Sequence, residues 1–277
     1  MRNWLLACAI ALCTTPFLNA QAAAPAPPAP AKPAPAAPQQ PAATKQEPST
    51  ASRGLPSARA IVEKYVEAIG GRKAILAHSS SHATGAFTVA GAGISGTIDI
   101  YNAKPAKSLV KTTIGGIGEI LEGFDGTHGW GISPMTGPSL AEGVELEQKR
   151  FDADFFSDLH ADERYTSMKT LEKTVFEGRP VYKVSMVKRI GGEDVEYFDA
   201  ETGLKIGTTG TREGPMGPMN ITVSQTDFKK FGNVMVPTTI KQSVSGVQNT
   251  ITIKTMEFDN VPPSTFDIPE KIKALIK

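Results

Sequence analysis

The histidines are the first residues to consider for chemistry, because histidine can bind a metal or move a proton near neutral pH. His78 and His82 flank three serines in the segment HSSSH, and on a helix this spacing would suit a zinc pair. No glutamate stands between them, no third ligand is evident, and a strand at this point would separate the two rings. His128 and His160 are expected in exposed turns. The histidines therefore do not predict a metal site.

Nucleophilic and phosphate-binding motifs are also missing from the sequence. The nearest match to a GxSxG nucleophile turn is Gly93-Ile94-Ser95-Gly96, which is one residue too short and lies in a strand pattern. The glycines of 115–118 are not followed by a helix pattern, as a phosphate-binding loop requires. A Ser–His–Asp set of distant residues, and with it a lipid-modifying hydrolase, stays open as a third interpretation.

Acidic residues cluster in the segment 139–165, which contains the groups Asp152/Asp154 and Asp158/Asp162/Glu163. Pairs of carboxylates can perform acid–base catalysis, but dense charge on a short helical segment is more typical of a solvated face. We expect these carboxylates to face water. The sequence thus predicts no enzyme, no cofactor and no metal.

The N-terminus predicts a targeting segment. Residues 1–22 carry one arginine, then an apolar run of about 15 residues, then Ala20-Gln21-Ala22 as a processing site. The run is shorter than the roughly 20 residues that span a bilayer, which favours a cleaved signal peptide over a retained anchor. Both cysteines, Cys8 and Cys13, lie in this segment. The mature protein would therefore reach the periplasm or the exterior without a thiol.

Composition changes sharply after the targeting segment. Residues 23–54 are dominated by Ala and Pro, and they predict a disordered, extended linker. Residues 55–277 carry 25 of the 29 basic and 27 of the 28 acidic residues, a net charge of −2. A near-neutral domain of this size can bury one core but lacks the charge that nucleic-acid binding needs.

Hydrophobic periodicity predicts one helix followed by a long run of strands. Residues 57–77 have helical spacing and end near Gly70-Gly71, and from about 82 onwards the period becomes two. Segment 139–165 interrupts the strands as one or two short helices, and a short helix is possible at the C-terminus. The fold class is mainly β (α+β), with about 10–12 antiparallel strands. So many twisted strands curl into an unclosed half-barrel, with the N-terminal helix and the helical insertion as its lid.

A half-barrel of this size has a concave wall that a ligand could occupy. Strand alternation and the insertion select candidate residues for this cavity or its lid, although Trp130, Phe155 and Phe156 would serve equally well as ordinary core residues. The candidates are Phe87, Val89, Ile98, Ile100, Trp130, Phe155, Phe156, Val184, Met186 and Phe198.

The order of these motifs resembles a known superfamily. A leading helix is followed by Asp125-Gly126, Trp130 and Pro134, by the segment YFDAETGL at 197–204, and by a closing VPPSTFDIP at 261–269. In this order the sequence resembles the LolA/LolB/LppX-like superfamily of lipoprotein-sorting and lipid-carrier proteins. The resemblance implies a curved antiparallel sheet in which helices lid a hydrophobic cavity for acyl chains.

Two non-enzymatic functions are therefore expected. The first is a periplasmic or secreted carrier that binds acyl chains of a lipid or lipoprotein, with an envelope membrane protein as a further candidate partner and no nucleic acid. The second is an envelope interaction or assembly module whose barrel is filled by its own side chains. The size of the cavity distinguishes them, because a ligand pocket needs a few hundred Å³ or more.

Overall fold

The computed structural model describes residues 54–214 and 217–276. The predicted signal peptide (1–22) and the predicted linker (23–54), apart from Gly54, lie outside these residues. The described part contains one antiparallel sheet of 13 strands in the order β6-β5-β4-β3-β2-β1-β13-β12-β11-β10-β9-β8-β7. The strands are β1 (Ser80–Val89), β2 (Ile94–Ala103), β3 (Lys107–Ile114), β4 (Gly118–Phe124), β5 (Gly129–Ser133), β6 (Gly137–Ala141), β7 (Tyr165–Phe176), β8 (Arg179–Lys188), β9 (Glu193–Asp199), β10 (Lys205–Gly214), β11 (Gly217–Phe231), β12 (Val234–Val244) and β13 (Val247–Phe258).

The sheet stays open because its two edge strands, β6 and β7, do not pair with each other. Consecutive strands pair as hairpins in two meanders, β1–β6 and β7–β13, which meet where β1 pairs with β13. The predicted half-barrel is thus confirmed. The number of strands exceeds the expected 10–12 because β6 lies at the start of the segment that was predicted to be helical.

Five helices accompany the sheet in the described residues: α1 (Ala58–Ala68), α2 (Gly71–Leu76), α3 (Gly143–Ala153), α4 (Ala161–Arg164) and α5 (Glu270–Lys273). The side chain of Ser57 caps the first helix by accepting a hydrogen bond from Ala60 N at 3.2 Å. The predicted helix over 57–77 is divided in two at Gly70, whose φ of 123° favours glycine. None of the described helices is both long and apolar enough to cross a membrane.

Alternation along the strands decides which side chains are buried. On β2, Ile98 and Ile100 are 1% and 0% exposed, whereas Thr97 on the other face is exposed. The same alternation continues from strand to strand, so that one concave face is lined by buried residues. We call this concave face the trough.

The end of the sheet is tied to the beginning of β1 by Asp259. Its carboxylate accepts hydrogen bonds from the Ser79 amide at 2.6 Å and the Ser79 hydroxyl at 2.8 Å, and lies 2.8 Å from His78 Nδ1. Partial burial would raise the pKa of Asp259, but the hydrogen bonds from His78 and Ser79 prevail and lower this pKa to about 2. A carboxyl with a lowered pKa stabilises the fold above its unfolded pKa and loses that effect as the pH falls through the folded value.

We therefore expect the free energy of unfolding of Asp259→Asn to depend less on pH in the acid range than that of the wild type. Between the ordinary pKa of 3.8 and about 2, the wild-type free energy of unfolding should fall more steeply with pH than that of the variant. Asparagine keeps the shape of the side chain and tolerates the φ of 61° at this position. Urea unfolding at several pH values measures both slopes, and equal slopes would contradict the assignment.

Candidate functional site

One half of the trough wall is aliphatic. It is formed by β1–β4 and β11–β13, where the register places side chains such as Phe87, Ile251 and Ile240 beside one another on the concave face. These side chains are 0–1% exposed and belong to one continuous hydrophobic cluster. We call this region the aliphatic half. Its main members are Phe87, Val89, Ile98, Ile100, Val110, Ile114, Ile120, Ile221, Val223, Ile240, Val244, Ile251 and Ile253.

The other half of the same wall carries buried charge. On β10, Arg212 is 2% exposed and donates from Nη1 and Nη2 to the two carboxylate oxygens of Asp194 on β9, at 2.8 and 3.0 Å. Lys188 on β8 reaches the same carboxylate at 3.1 Å. At the next position on the same face of β9, Glu196 accepts a hydrogen bond from Lys205 of β10 at 2.9 Å. We call these five residues the charged half of the trough.

The pKa directions follow from this arrangement. Burial would raise the pKa of Asp194, but the adjacent Arg212 and Lys188 prevail and lower it. The pKa of Lys188 is lowered because burial and Arg212 both oppose its charge. Asp194 is therefore a carboxylate at neutral pH, held between two cations.

A cover of helices lies over the trough; we use this name for α1, α2, α3 and residues 154–160. Helix α1 packs Tyr65 edge-on against Phe198 on β9, with ring centroids 5.7 Å apart, and the Tyr65 hydroxyl donates to Asp158 at 2.8 Å. At the outer side of the helix, Lys64 donates to the carbonyls of Ala200 and Glu201 at 3.0 and 2.9 Å. The cover is therefore held both by apolar packing, in which Ile61, Tyr65 and Phe151 join the hydrophobic cluster of the wall, and by polar contacts at its outer side.

Helix α3 brings a further acid into the charged half. Asp152 is 4% exposed, and its Oδ2 lies 4.0 Å from Nε of Arg212. Burial raises the pKa of Asp152, although Arg212 and Arg164 oppose this. The prediction of a solvated carboxylate face is thus wrong for Asp152, and also for Asp158, which is 8% exposed. It holds for Asp162, whose side chain is 58% exposed in an ion pair with Arg59.

Seven of the ten predicted ligand residues lie on the concave wall. Phe87, Val89, Ile98 and Ile100 belong to the aliphatic half, and three others stand beside the charged half: Val184, Met186 and Phe198. Phe155 and Phe156 lie on the cover with their rings 5.1 Å apart, Phe155 buried and Phe156 partly buried. The structure thus brings nine of the ten to the trough or its cover.

Trp130 differs from that prediction. It pairs with Gly123, and its indole lies over that glycine, on the opposite face of β4 from Glu122 and Phe124. Trp130 is 2% exposed on this outer side. The C-terminal segment, with buried Phe266 and Ile272, lies against β3 and β6 at this part of the sheet. The residue therefore belongs to the outer packing of the sheet and does not face the trough.

This placement predicts a stability effect. A Cβ added at Gly123 would lie 2.3 Å from Cζ2 of Trp130, so Gly123→Ala should lower the free energy of unfolding by about 1–3 kcal/mol. Gly131 on the neighbouring strand is the matched control, because the nearest atom to its added Cβ is Ser139 Oγ at 3.3 Å. Urea unfolding compares the two variants, and equal losses would contradict the position of the indole.

The cavities lie at the edges of the cover. One of about 340 Å³ lies between α1 and residues 158–162, lined by side chains that include Val62, Val66 and Leu159. Another of about 180 Å³ lies between Ile61, Tyr182 and Phe198. A wall whose side chains are 0–8% exposed has little contact with a space that admits water. The aliphatic half is therefore packed by the protein's own side chains in this structure.

The histidines make local pairs. His82 lies 3.0 Å from Asp99 and stacks on Tyr101, and His78 pairs with Asp259. Within the described part of the chain, no three His, Cys, Asp or Glu side chains come together as metal ligands would. The His82 pair joins β1 to β2, and the His78 pair joins the beginning of β1 to the end of β13.

No protein-family model matches the sequence, and no curated protein is significantly similar to it. Solved structures are similar in fold. A LolA superfamily protein from Nitrosomonas europaea has a TM-score of 0.52 at 15% identity, over 77% of this chain and 99% of that chain. A DUF1329 family protein from Desulfovibrio piger has a TM-score of 0.53 at 11% identity, over 76% of this chain and 97% of that chain. At such identities the likeness concerns the fold alone: the chain has the fold of the LolA superfamily, as the order of its motifs predicted.

Proposed function

We propose that this protein is a non-enzymatic carrier of the bacterial periplasm that binds the acyl chain of a lipid or lipoprotein in its trough. The observation that carries the proposal is the aliphatic half, a continuous concave wall of more than a dozen apolar side chains from β1–β4 and β11–β13. This wall lies beneath a cover of short helices, whose apolar side chains occupy the place that an acyl chain would take. The superfamily fold and the predicted signal peptide agree with this function.

The binding energy would come from burial alone. Each CH₂ group that leaves water contributes about 0.8 kcal/mol, so that a chain of a dozen carbons contributes roughly 10 kcal/mol before any ordering cost. Because the wall is packed in this structure, the acyl chain of the ligand would have to replace side chains of the cover. Helix α1 supplies Ile61 and Tyr65, which are 4% and 3% exposed. A helix of 11 residues is marginal on its own, so it can leave the trough when those contacts are replaced.

The test is ligand uptake by the purified mature chain. Native mass spectrometry should detect bound lipid, or a fluorescent fatty acid should bind with saturation. Ile98→Asn, in the wall, should weaken binding, whereas Thr97→Asn, on the outer face, should not. Circular dichroism confirms that both variants are folded. No lipid after purification and no binding of the fatty acid would count against the carrier.

A second function has one observation in its favour. The low exposure of the wall, 0–8% for its side chains, is what an interaction or assembly module with a self-filled barrel would show. In that case the outer surface would carry the function, and neither lipid nor fatty acid would bind under any condition that leaves the protein folded.

A further inference from the structure

Two buried guanidinium groups, one in the charged half and one beside it, have donors without a partner in the part of the chain that the structure describes. Nε of Arg212 lies 4.0 Å from Asp152, beyond hydrogen-bond distance, and it makes no hydrogen bond within the described residues. Arg164 donates from Nη1 to the carbonyl of Phe151 and lies 3.4 Å from Asp154, but its Nε and Nη2 have no partner there. Both arginines are at least nine-tenths buried, at 2% and 5% exposure. Unpaired buried donors of a charged group are costly, which makes them candidates for a ligand.

The cover supplies the acids that face these donors. Asp152 lies at the end of α3, and its Oδ1 is buried without a hydrogen-bond partner among the described residues. Asp154 follows one residue after the helix ends and contacts Arg164. Arg164 ends α4, and its backbone is tied to the sheet, because its carbonyl accepts from Arg189 N just after β8, at 2.9 Å; its side chain reaches Phe151 and Asp154 of the cover. The cations therefore stay with the sheet, whereas two of the carboxylates belong to the cover.

Opening the cover would change the charge balance of this region. Arg212 and Lys188 would keep Asp194 between them, and Glu196 would keep Lys205. Asp152 and Asp154 would leave with the cover. The sheet would then hold an excess of positive charge next to the aliphatic half, and an uncompensated charge in a partly desolvated site is unfavourable. An anion of the right size would restore the balance and use the free donors.

Resting on the function proposed above, we infer that the ligand is an amphiphile whose anionic headgroup, a phosphate or carboxylate, binds Arg212 and Arg164 in place of Asp152. Its acyl chain lies along the aliphatic half. In the closed protein the carboxylate of Asp152 stands near the position of the headgroup, as an internal substitute that leaves several donors unused. Guanidinium groups suit this role, because their planar fork binds phosphate and carboxylate oxygens with charge-assisted hydrogen bonds.

The test compares two ligands that share one acyl chain. Isothermal titration calorimetry of the mature chain measures a palmitoyl glycerol phosphate, the uncharged palmitoyl glycerol and inorganic phosphate alone. The phosphate amphiphile should bind at least about tenfold more tightly than the uncharged one, as charge-assisted hydrogen bonds to one headgroup provide. Equal affinities for the two amphiphiles would overturn this inference and leave the carrier proposal intact. Binding of neither would overturn both, and inorganic phosphate binding as tightly as the amphiphile would assign the site to a free anion.

A pair of variants locates the site. Arg164→Met removes the guanidinium, which stacks 3.6 Å over the Phe151 ring, and leaves an apolar side chain there. It should weaken binding of the phosphate amphiphile about tenfold, with the uncharged amphiphile unaffected. Arg150→Met removes the same charge from an exposed position on α3, 51% exposed, and should change neither affinity. Equal weakening of both amphiphiles by Arg164→Met would contradict a headgroup site. The comparison of ligands on the wild-type chain decides the inference even if this variant fails to fold.

Discussion

Arg212→Met should lower the free energy of unfolding by about 3–5 kcal/mol, because it breaks a buried ion pair by removing one partner. The guanidinium is 2% exposed and makes two hydrogen bonds to Asp194, at 2.8 and 3.0 Å. Without it, Asp194 keeps only Lys188, and Asp152 loses the cation nearest to it. Methionine fills much of the volume, so the loss reports charge more than packing. Urea unfolding at neutral pH measures it.

Two variants test the origin of this loss. Adding Asp194→Asn to Arg212→Met should recover part of the stability, since it removes the carboxylate that the first substitution leaves buried. Arg150→Met should stay within about 0.5 kcal/mol of the wild type, because Arg150 is exposed. An Arg212→Met variant that unfolds at the wild-type urea concentration would show that the charged half contributes nothing to stability.

Much of the fold is predictable because alternation and turn residues act locally. Twelve of the 13 strands fall within segments where apolar residues recur at period two between Gly, Pro or Asn. Strand β6 does not, because Gly137–Ala141 contains glycine, proline and serine and lacks large alternating residues. Its pairing with β5 is a tertiary effect that propensity does not show. The predicted helix–insertion–lid arrangement holds for the same local reasons.

The aliphatic half of the site is predictable for similar reasons, and the charged half is not. Asp194 and Glu196 alternate with Phe198 on β9, so the same reasoning that placed Phe198 on the wall also places both acids there. This pattern was the available signal. The general rule that charged residues face water outweighs this alternation when the sequence alone is read. The partners of Asp194 (Arg212 and Lys188) and of Glu196 (Lys205) lie on other strands, and no short-range pattern links them.

Register explains the remaining differences. Trp130 lies in a strand of five residues, where it and Ile132 alternate with glycines that do not show which face of the strand is the concave one. Its face is set by pairing with Gly123, which the sequence alone does not specify. The prediction of a solvated face for the acidic segment 139–165 was wrong for another reason. Average charge predicts a solvated face, but one turn of α3 carries Asp152 and Phe151 inwards while Arg150 faces water.

The second large effect concerns the movement of the cover. Ala106 and Asp154 form an antiparallel bridge in which the Phe155 amide donates to the Pro105 carbonyl at 3.0 Å. This hydrogen bond flanks the bridge, so Ala106 and Asp154 are a non-hydrogen-bonded pair, with Cα atoms about 4.5 Å apart in standard geometry. Such a separation suits a disulfide. Ala106→Cys with Asp154→Cys should therefore fix the cover to the sheet when oxidised.

The chain is well suited to this experiment. Its natural cysteines, Cys8 and Cys13, precede residue 23, so a protein expressed from residue 23 onwards contains only the introduced pair. The reduced double variant is the matched control, because it has lost the contacts of Asp154 with Arg164 and His160 to the same extent as the oxidised form. Any difference between the two redox states is then due to the cross-link itself.

The most direct measurement is uptake of a fluorescent fatty acid by this double variant before and after reduction. If the trough binds acyl chains when its cover moves, the oxidised protein should take up almost none, and a reducing agent should restore binding. Equal uptake in both redox states would show that the ligand does not enter beneath the cover, and no uptake in either state or in the wild type would contradict a lipid carrier.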